Sequence, residues 1–140
     1  MFTYNKKVQF YETDLMGIVH HSNYLRYFEE ARVAWAHAHG MLDYQKPETA
    51  SHLAVLETRC QHKRPSFFGD DLQVMVEVKS VGIRILFQYQ IQNTTQGTVT
   101  AVGMSSHAPL NRDLKPIRPG SEWKSLLEKE KWTETWLSNS

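Results

Sequence analysis

The sequence predicts an α+β domain in which one long helix lies across an antiparallel sheet of about five strands. Between Tyr24 and Ala38, apolar residues recur at spacings of three and four, the period of an amphipathic helix. Four later stretches alternate apolar and polar residues, the period of strands. The separators "VGI" around Gly82 and "NTTQG" at 93–97 are too short to hold crossover helices, so the strands they join are antiparallel neighbours.

In chain order, "YNKKVQF" at residues 4–10 alternates loosely, with Tyr4, Val8 and Phe10 on one side, and reads as a first strand. The helix follows from Ser22. Tyr24, Leu25, Tyr27, Phe28, Ala31, Trp35 and Ala38 form its apolar side, and Arg26, Glu29, Glu30 and His37 its polar side. Ser22 or Asn23 is the expected N-terminal cap, and Gly40 the residue suited to a left-handed exit.

After a loop through Pro47, alternation returns in "HLAVLETRCQHKRP", "DDLQVMVEVKSV", "IRILFQYQIQ" and "TVTAVGMSSHAPL". Leu72, Val74, Val76 and Val78 share one face, and Ile83, Ile85, Phe87, Tyr89 and Ile91 another. The helix is the only element large enough to cover them. The tail from Gly120 predicts a further short helix that packs through Trp123, Leu126 and Leu127.

A chain of 140 residues with 41% hydrophobic content is the size of one domain, taken as 1–140. Sixteen basic against fifteen acidic residues leave a net charge of +1, which predicts no nucleic-acid or anionic-membrane partner. No apolar run approaches the roughly 20 residues that span a membrane. With a single cysteine, Cys60, and no early segment like a signal peptide, the expectation is a cytoplasmic protein without an internal disulfide.

The chemistry concentrates in "YETDLMGIVHHSNYLRYFEEAR", residues 11–32. Asp14 lies shortly before the helix, whose first N–H groups are unpaired and carry the positive end of the macrodipole. A carboxylate, ionised at neutral pH, can serve there as nucleophile or base while an N–H receives a developing oxyanion. Thioesters suit so weak a nucleophile, because their carbonyl is poorly resonance-stabilised and their thiolate leaves readily. Gly17 would let backbone approach the acyl group. A turn aspartate that only accepts backbone hydrogen bonds is the structural alternative.

Adjacent His20 and His21 diverge, and His37 and His39 lie on different helix faces, so no metal site is expected. There is no "GxSxG" elbow and no phosphate-cradling glycine loop. Cys60, on an alternating strand, reads as core.

The Asp-x-x-Gly-x-Val segment with Tyr24 five residues after Val19, followed by a long helix and "HKRPSFFGDDLQV", resembles the hot-dog-fold acyl-CoA thioesterases of the 4-hydroxybenzoyl-CoA thioesterase and Tol-Pal-associated type. The likeness runs from about residue 4 to residue 110. It implies a helix wrapped by a curved antiparallel sheet, and a homodimer or homotetramer with active sites at the subunit interface. It implies hydrolysis of acyl-CoA without a cofactor: Asp14 attacks the thioester or activates water, and the His21 N–H polarises the carbonyl.

Gly17 and Val19 would flank the acyl thioester, and Tyr24 would pack behind it. Arg84 aligns with a basic coenzyme-binding position of the family. Lys63 and Arg64 are further candidates by charge and position. Leu15-Met16 and His20 depart from the family pattern at the border of the acyl pocket, which leaves the acyl class open. The His21 ring either orients water or only packs. The rival function is a non-catalytic acyl-CoA-binding or partner-recruiting module on the same fold; a hydratase would need a different Asp and His spacing.

Overall fold

The structure, a computed structural model, describes residues 2–46, 52–130, 132–133 and 136. Pro47 and the last four residues of the tail lie outside this set. The elements are β1 (Phe2–Lys7), α1 (Ser22–Ala38), β2 (His52–His62), β3 (Asp71–Val81), β4 (Arg84–Asn93), β5 (Thr98–Leu110) and α2 (Ser121–Leu127). The strands form one antiparallel sheet in the order β1-β3-β4-β5-β2. Strands β3, β4 and β5 are consecutive hairpins, as their short separators require.

Register explains the core. Val74 faces Ile91, Val76 faces Tyr89 and Val78 faces Phe87 across β3 and β4, so the two apolar rows form one continuous surface. Helix α1 covers it with Tyr24, Tyr27, Phe28, Ala31 and Trp35, all buried. Phe28 stacks on Tyr89 at 4.4 Å, and Trp35 meets Phe87 edge-on at 5.5 Å. Gly103 permits this approach, because a Cβ there would come within 2.4 Å of the Phe28 ring. Trp123 of α2 stacks on Trp35 at 5.8 Å and closes the far end of the helix, the packing role expected for the tail.

Several boundaries differ from the sequence reading. Strand β1 is displaced toward the N-terminus of residues 4–10. The Glu12 carboxylate accepts the Gln9 N–H at 2.8 Å and winds Phe10–Glu12 into a single 3-10 turn, leaving Phe10 exposed. Ile83 sits in the β3–β4 turn and Leu25 on the open side of the helix, both partly exposed. Neither Ser22 nor Asn23 caps α1: the N-cap position is His21, and Ser22 and Asn23 are already helical. Gly40 does take the left-handed conformation, with φ of 76°.

The outer sheet face carries a buried polar pair. Gln88 donates to Glu77 at 2.7 Å, and Thr133 donates to the same carboxylate oxygen through its hydroxyl at 2.7 Å. The segment after α2 therefore lies on the face opposite the helix. No helix among the described residues is long and apolar enough to cross a membrane.

Candidate active site

Asp14 sits in a tight loop closed by backbone bonds from Asp14 N–H to Ile18 O at 2.8 Å and from Gly17 N–H to Asp14 O at 3.0 Å. Gly17 adopts φ of 78°, a left-handed conformation that an L side chain rarely takes, so glycine is required for the loop to turn. One carboxylate oxygen of Asp14 accepts the Met16 N–H at 2.8 Å. The other has no protein donor among the described residues.

The loop is pinned to the helix start by the Glu12 carbonyl, which accepts the His20 N–H at 2.9 Å and the Asn23 side-chain amide at 2.9 Å. Asn23, expected as a cap, thus acts as a buried tie between loop and helix. The donors at the helix start are allotted unevenly. Ser22 N–H reaches His20 Nδ1 at 3.2 Å, Asn23 N–H the His20 carbonyl and Tyr24 N–H the His21 carbonyl. The N–H of His21 makes no hydrogen bond among the described residues, which leaves it available to an oxyanion.

A cavity of about 360 Å³ opens between the loop and the end of β2. Asp14, Met16, Ile18, Val19, His21, Tyr24, His62, Lys63, Arg64 and Pro65 line it. Six of the eight residues expected from the sequence thus meet there: Asp14, Val19, His21, Tyr24, Lys63 and Arg64. Gly17 shapes the loop without lining the cavity. Arg84 does not join them: it pairs with Val81 at the β3–β4 hairpin, seven residues along β4 from Ile91, which lies level with the site. At a rise of about 3.3 Å per residue the separation exceeds 20 Å.

The far wall depends on an irregularity in β5. The pairing with β4 skips Thr100, so this residue bulges out of the ladder. Its carbonyl accepts the N–H groups of Lys63 and Arg64 at 2.8 and 3.2 Å, and its hydroxyl bonds Ser66 Oγ at 2.8 Å. Asn93 ties Ser66 to Asp70 from behind, at 3.2 and 2.8 Å. The Ser66 carbonyl takes the Val19 N–H at 2.8 Å, which joins this wall to the Asp14 loop.

His62 is the lining residue that sequence reasoning passed over in favour of its basic neighbours. Its ring lies 6.4 Å from that of His21, edge to face, and 5.2 Å from that of Tyr24. Burial, reinforced by the nearby His21, holds its pKa below the ordinary imidazole value. The available signal was strand alternation, which puts His62 on the same side of β2 as the half-buried Cys60. Cys60 itself is no nucleophile: burial pushes its thiol up to about 11, so it stays protonated at neutral pH. Tyr24 is buried behind the cavity as expected, its phenol also pushed up by burial.

Among the described residues, no three His, Cys, Asp or Glu side chains converge as metal ligands.

Residues 8–128 match the model of the thioesterase-like superfamily. YneP of Bacillus subtilis (strain 168), provisionally named an acyl-CoA thioesterase, is 30% identical over 131 residues, covering 89% of this chain and 94% of that protein. A protein of Aquifex aeolicus (strain VF5), provisionally named an esterase, is 40% identical over 80 residues, 57% of this chain. That match spans 62% of the relative's length.

A crystal structure of the hypothetical protein AQ1494 from Aquifex aeolicus superposes with a TM-score of 0.81 at 30% identity, covering 91% of this chain and 99% of that one. Slr0204 from Synechocystis, a 1,4-dihydroxy-2-naphthoyl-CoA thioesterase, shares the fold with a TM-score of 0.81 at 19% identity, over 91% and 96% of the two chains. With the helix-on-sheet architecture and the extent of the family match both in place, the chain belongs to the thioesterase-like superfamily and has its hot-dog fold.

Proposed function

We propose that the protein hydrolyses an acyl-CoA thioester to a carboxylic acid and free coenzyme A, with Asp14 as nucleophile or general base and the His21 N–H as oxyanion donor. One observation carries this reading: Asp14, with one carboxylate oxygen that no protein donor occupies, and His21, whose N–H is uncommitted, line the same cavity. Carbonyl carbon and oxygen of one thioester can address both groups at once, and the low-dielectric rim of Val19, Ile18 and Tyr24 strengthens each interaction. Family membership and the provisional name of YneP support the same reaction class.

Val19 then flanks the acyl group, Gly17 serves only through the turn that presents Asp14, and Lys63 and Arg64 stand where coenzyme phosphates can be met. Arg84, at the other end of its own sheet, serves the site only when a second copy supplies it. The open edge of β2 supports such a copy. This edge strand spans 11 residues, leaves Val55 and Leu56 about half exposed and has no neighbour beyond it among the described residues, so it offers an unpaired ladder to another chain.

The test is release of coenzyme A thiol from acetyl-, hexanoyl-, palmitoyl- and benzoyl-CoA. The wild type is expected to turn over at least one of them. Asp14→Asn should lower that turnover on the order of 1000-fold or more while leaving the melting temperature in place. Wild-type rates in Asp14→Asn would sink the mechanism, and tight binding without release across the set would establish an acyl-CoA-binding module instead.

A further inference from the structure

We propose that His62 is a second catalytic residue, the base that takes a proton from the attacking water, and that Asp14 is thereby left to act as the nucleophile. This rests on the hydrolase reading above and assigns the two chemical steps to two side chains.

The geometry points to this division. His62 is the last residue of β2, its Cα paired with that of Ala101, and the strand's alternation fixes its ring on the helix side of the sheet. It therefore faces the Asp14 loop across the cavity. The groups around it come from every packed element: Asp14 from the loop, His21 and Tyr24 from the helix start, Cys60 from its own strand, Lys63 and Arg64 from the segment that follows. Burial and the second imidazole disfavour a positive charge on the ring, and the Tyr24 phenol and Cys60 thiol are neutral at pH 7. A neutral imidazole results, with a lone pair to offer.

Its orientation favours Nε2 as that base. His62 Nδ1 lies 3.9 Å from Cys60 Sγ, within reach of an N–H···S contact, and Nε2 has no partner among the described residues. In the productive tautomer Nδ1–H donates to Cys60 Sγ, and the lone pair is on Nε2. His20, by contrast, spends Nδ1 on Ser22. An uncharged imidazole is the side-chain type best suited to general-base work near neutral pH.

The steps balance. A carboxylate oxygen of Asp14 bonds to the thioester carbonyl carbon and the C–S bond breaks. The thiolate departs with the electron pair and takes a proton from solvent, leaving a mixed anhydride. Water then adds to the acyl carbon as His62 Nε2 removes its proton. The anhydride C–O bond breaks, Asp14 recovers its carboxylate, the acid leaves, and the imidazolium returns its proton to solvent.

The experiment follows thiol release in a stopped-flow instrument, using whichever of the four acyl-CoA substrates the wild type turns over. His62→Gln keeps a polar side chain but cannot accept the proton. It is expected to show a burst of about one thiol per protomer, then a steady state slowed roughly 100-fold, with KM falling in parallel so that kcat/KM stays near the wild-type value. The wild-type kcat is expected to fall on acidification, and that fall is expected to be lost in His62→Gln. His62→Ala should recover turnover with added imidazole, a rescue that no merely structural role predicts.

Turnover within twofold of wild type, or uniformly slow release without a burst, would overturn the assignment. If Asp14→Asn is inactive in the same assay, only the role of His62 has failed. If Asp14→Asn is fully active, the Asp14 mechanism has failed with it, and if the wild type releases no thiol from any of the four substrates, the hydrolase reading has failed.

Discussion

At its C-terminal end helix α1 carries His37 and His39, and at its start it meets His20 and His21; the two neighbourhoods are built differently. His39 has both ring nitrogens engaged, Nδ1 with the Trp35 carbonyl at 2.8 Å and Nε2 with Glu130 at 3.2 Å, and its ring stacks on Trp35 at 4.6 Å. His37 bonds the Leu42 carbonyl at 3.1 Å and stacks on Tyr44 at 4.2 Å. At the start, His21 has no hydrogen bond to its ring among the described residues, and His62 keeps Nε2 open toward a cavity. The same residue type is structural where its nitrogens are committed and chemically available where they are not. Changes at the closed end should therefore alter stability and spare turnover, whereas changes at the open end should do the reverse.

The strongest test of that division is Trp35→Ala. Trp35 is fully buried between Phe87, His39 and Trp123, so truncation should cost about 3–5 kcal/mol in denaturant unfolding. The folded fraction should keep the wild-type KM. A stable variant with altered KM would break the comparison.

His107, on the inner face of β5 between the two ends, sharpens it. Burial, with a smaller contribution from the Arg32 charge, lowers its pKa to about 4. The folded state thus holds this ring neutral while the unfolded chain protonates it near 6.5. Its share of stability is complete above pH 6.5 and disappears as pH falls toward 4, a loss of about 3 kcal/mol. Melts at pH 7 and pH 4.5 should show that loss in the wild type and a shallower one in His107→Gln. An equal acid loss in both would place the acid sensitivity elsewhere.

The smallest effect belongs to Glu130→Gln. Its pair with His39 is partly exposed, and removing the charge should change stability by at most about 1 kcal/mol, readable as a small shift in denaturant midpoint with kcat unchanged.

Much of this was legible along the chain. The helix period from Tyr24 to Ala38 survives as α1 because each turn repeats the same local demand, and the hairpins survive because their separators admit no other connection. The Asp14 loop was legible for a similar reason: Asp14, Gly17, Val19, His21 and Tyr24 span eleven residues, so helix-start physics brings them together without reference to the rest. The ends of β1 and the tying role of Asn23 were not, since both depend on where the Glu12 carboxylate and carbonyl find donors.

His62 and Arg84 mark the boundary between the two kinds of information. Each is a polar residue near a strand end, and the family resemblance pointed to Arg84, not His62, as a ligand for an anionic coenzyme. Local sequence reaches as far as periodicity, turn chemistry and the contiguous Asp14 segment, because those interactions span only a few residues. Which strand end faces the helix start depends on the order β1-β3-β4-β5-β2 and on the Thr100 bulge that frees a carbonyl to hold Lys63 and Arg64. Such pairings join residues dozens of positions apart, and their outcome is set by the packing of the whole sheet against one helix.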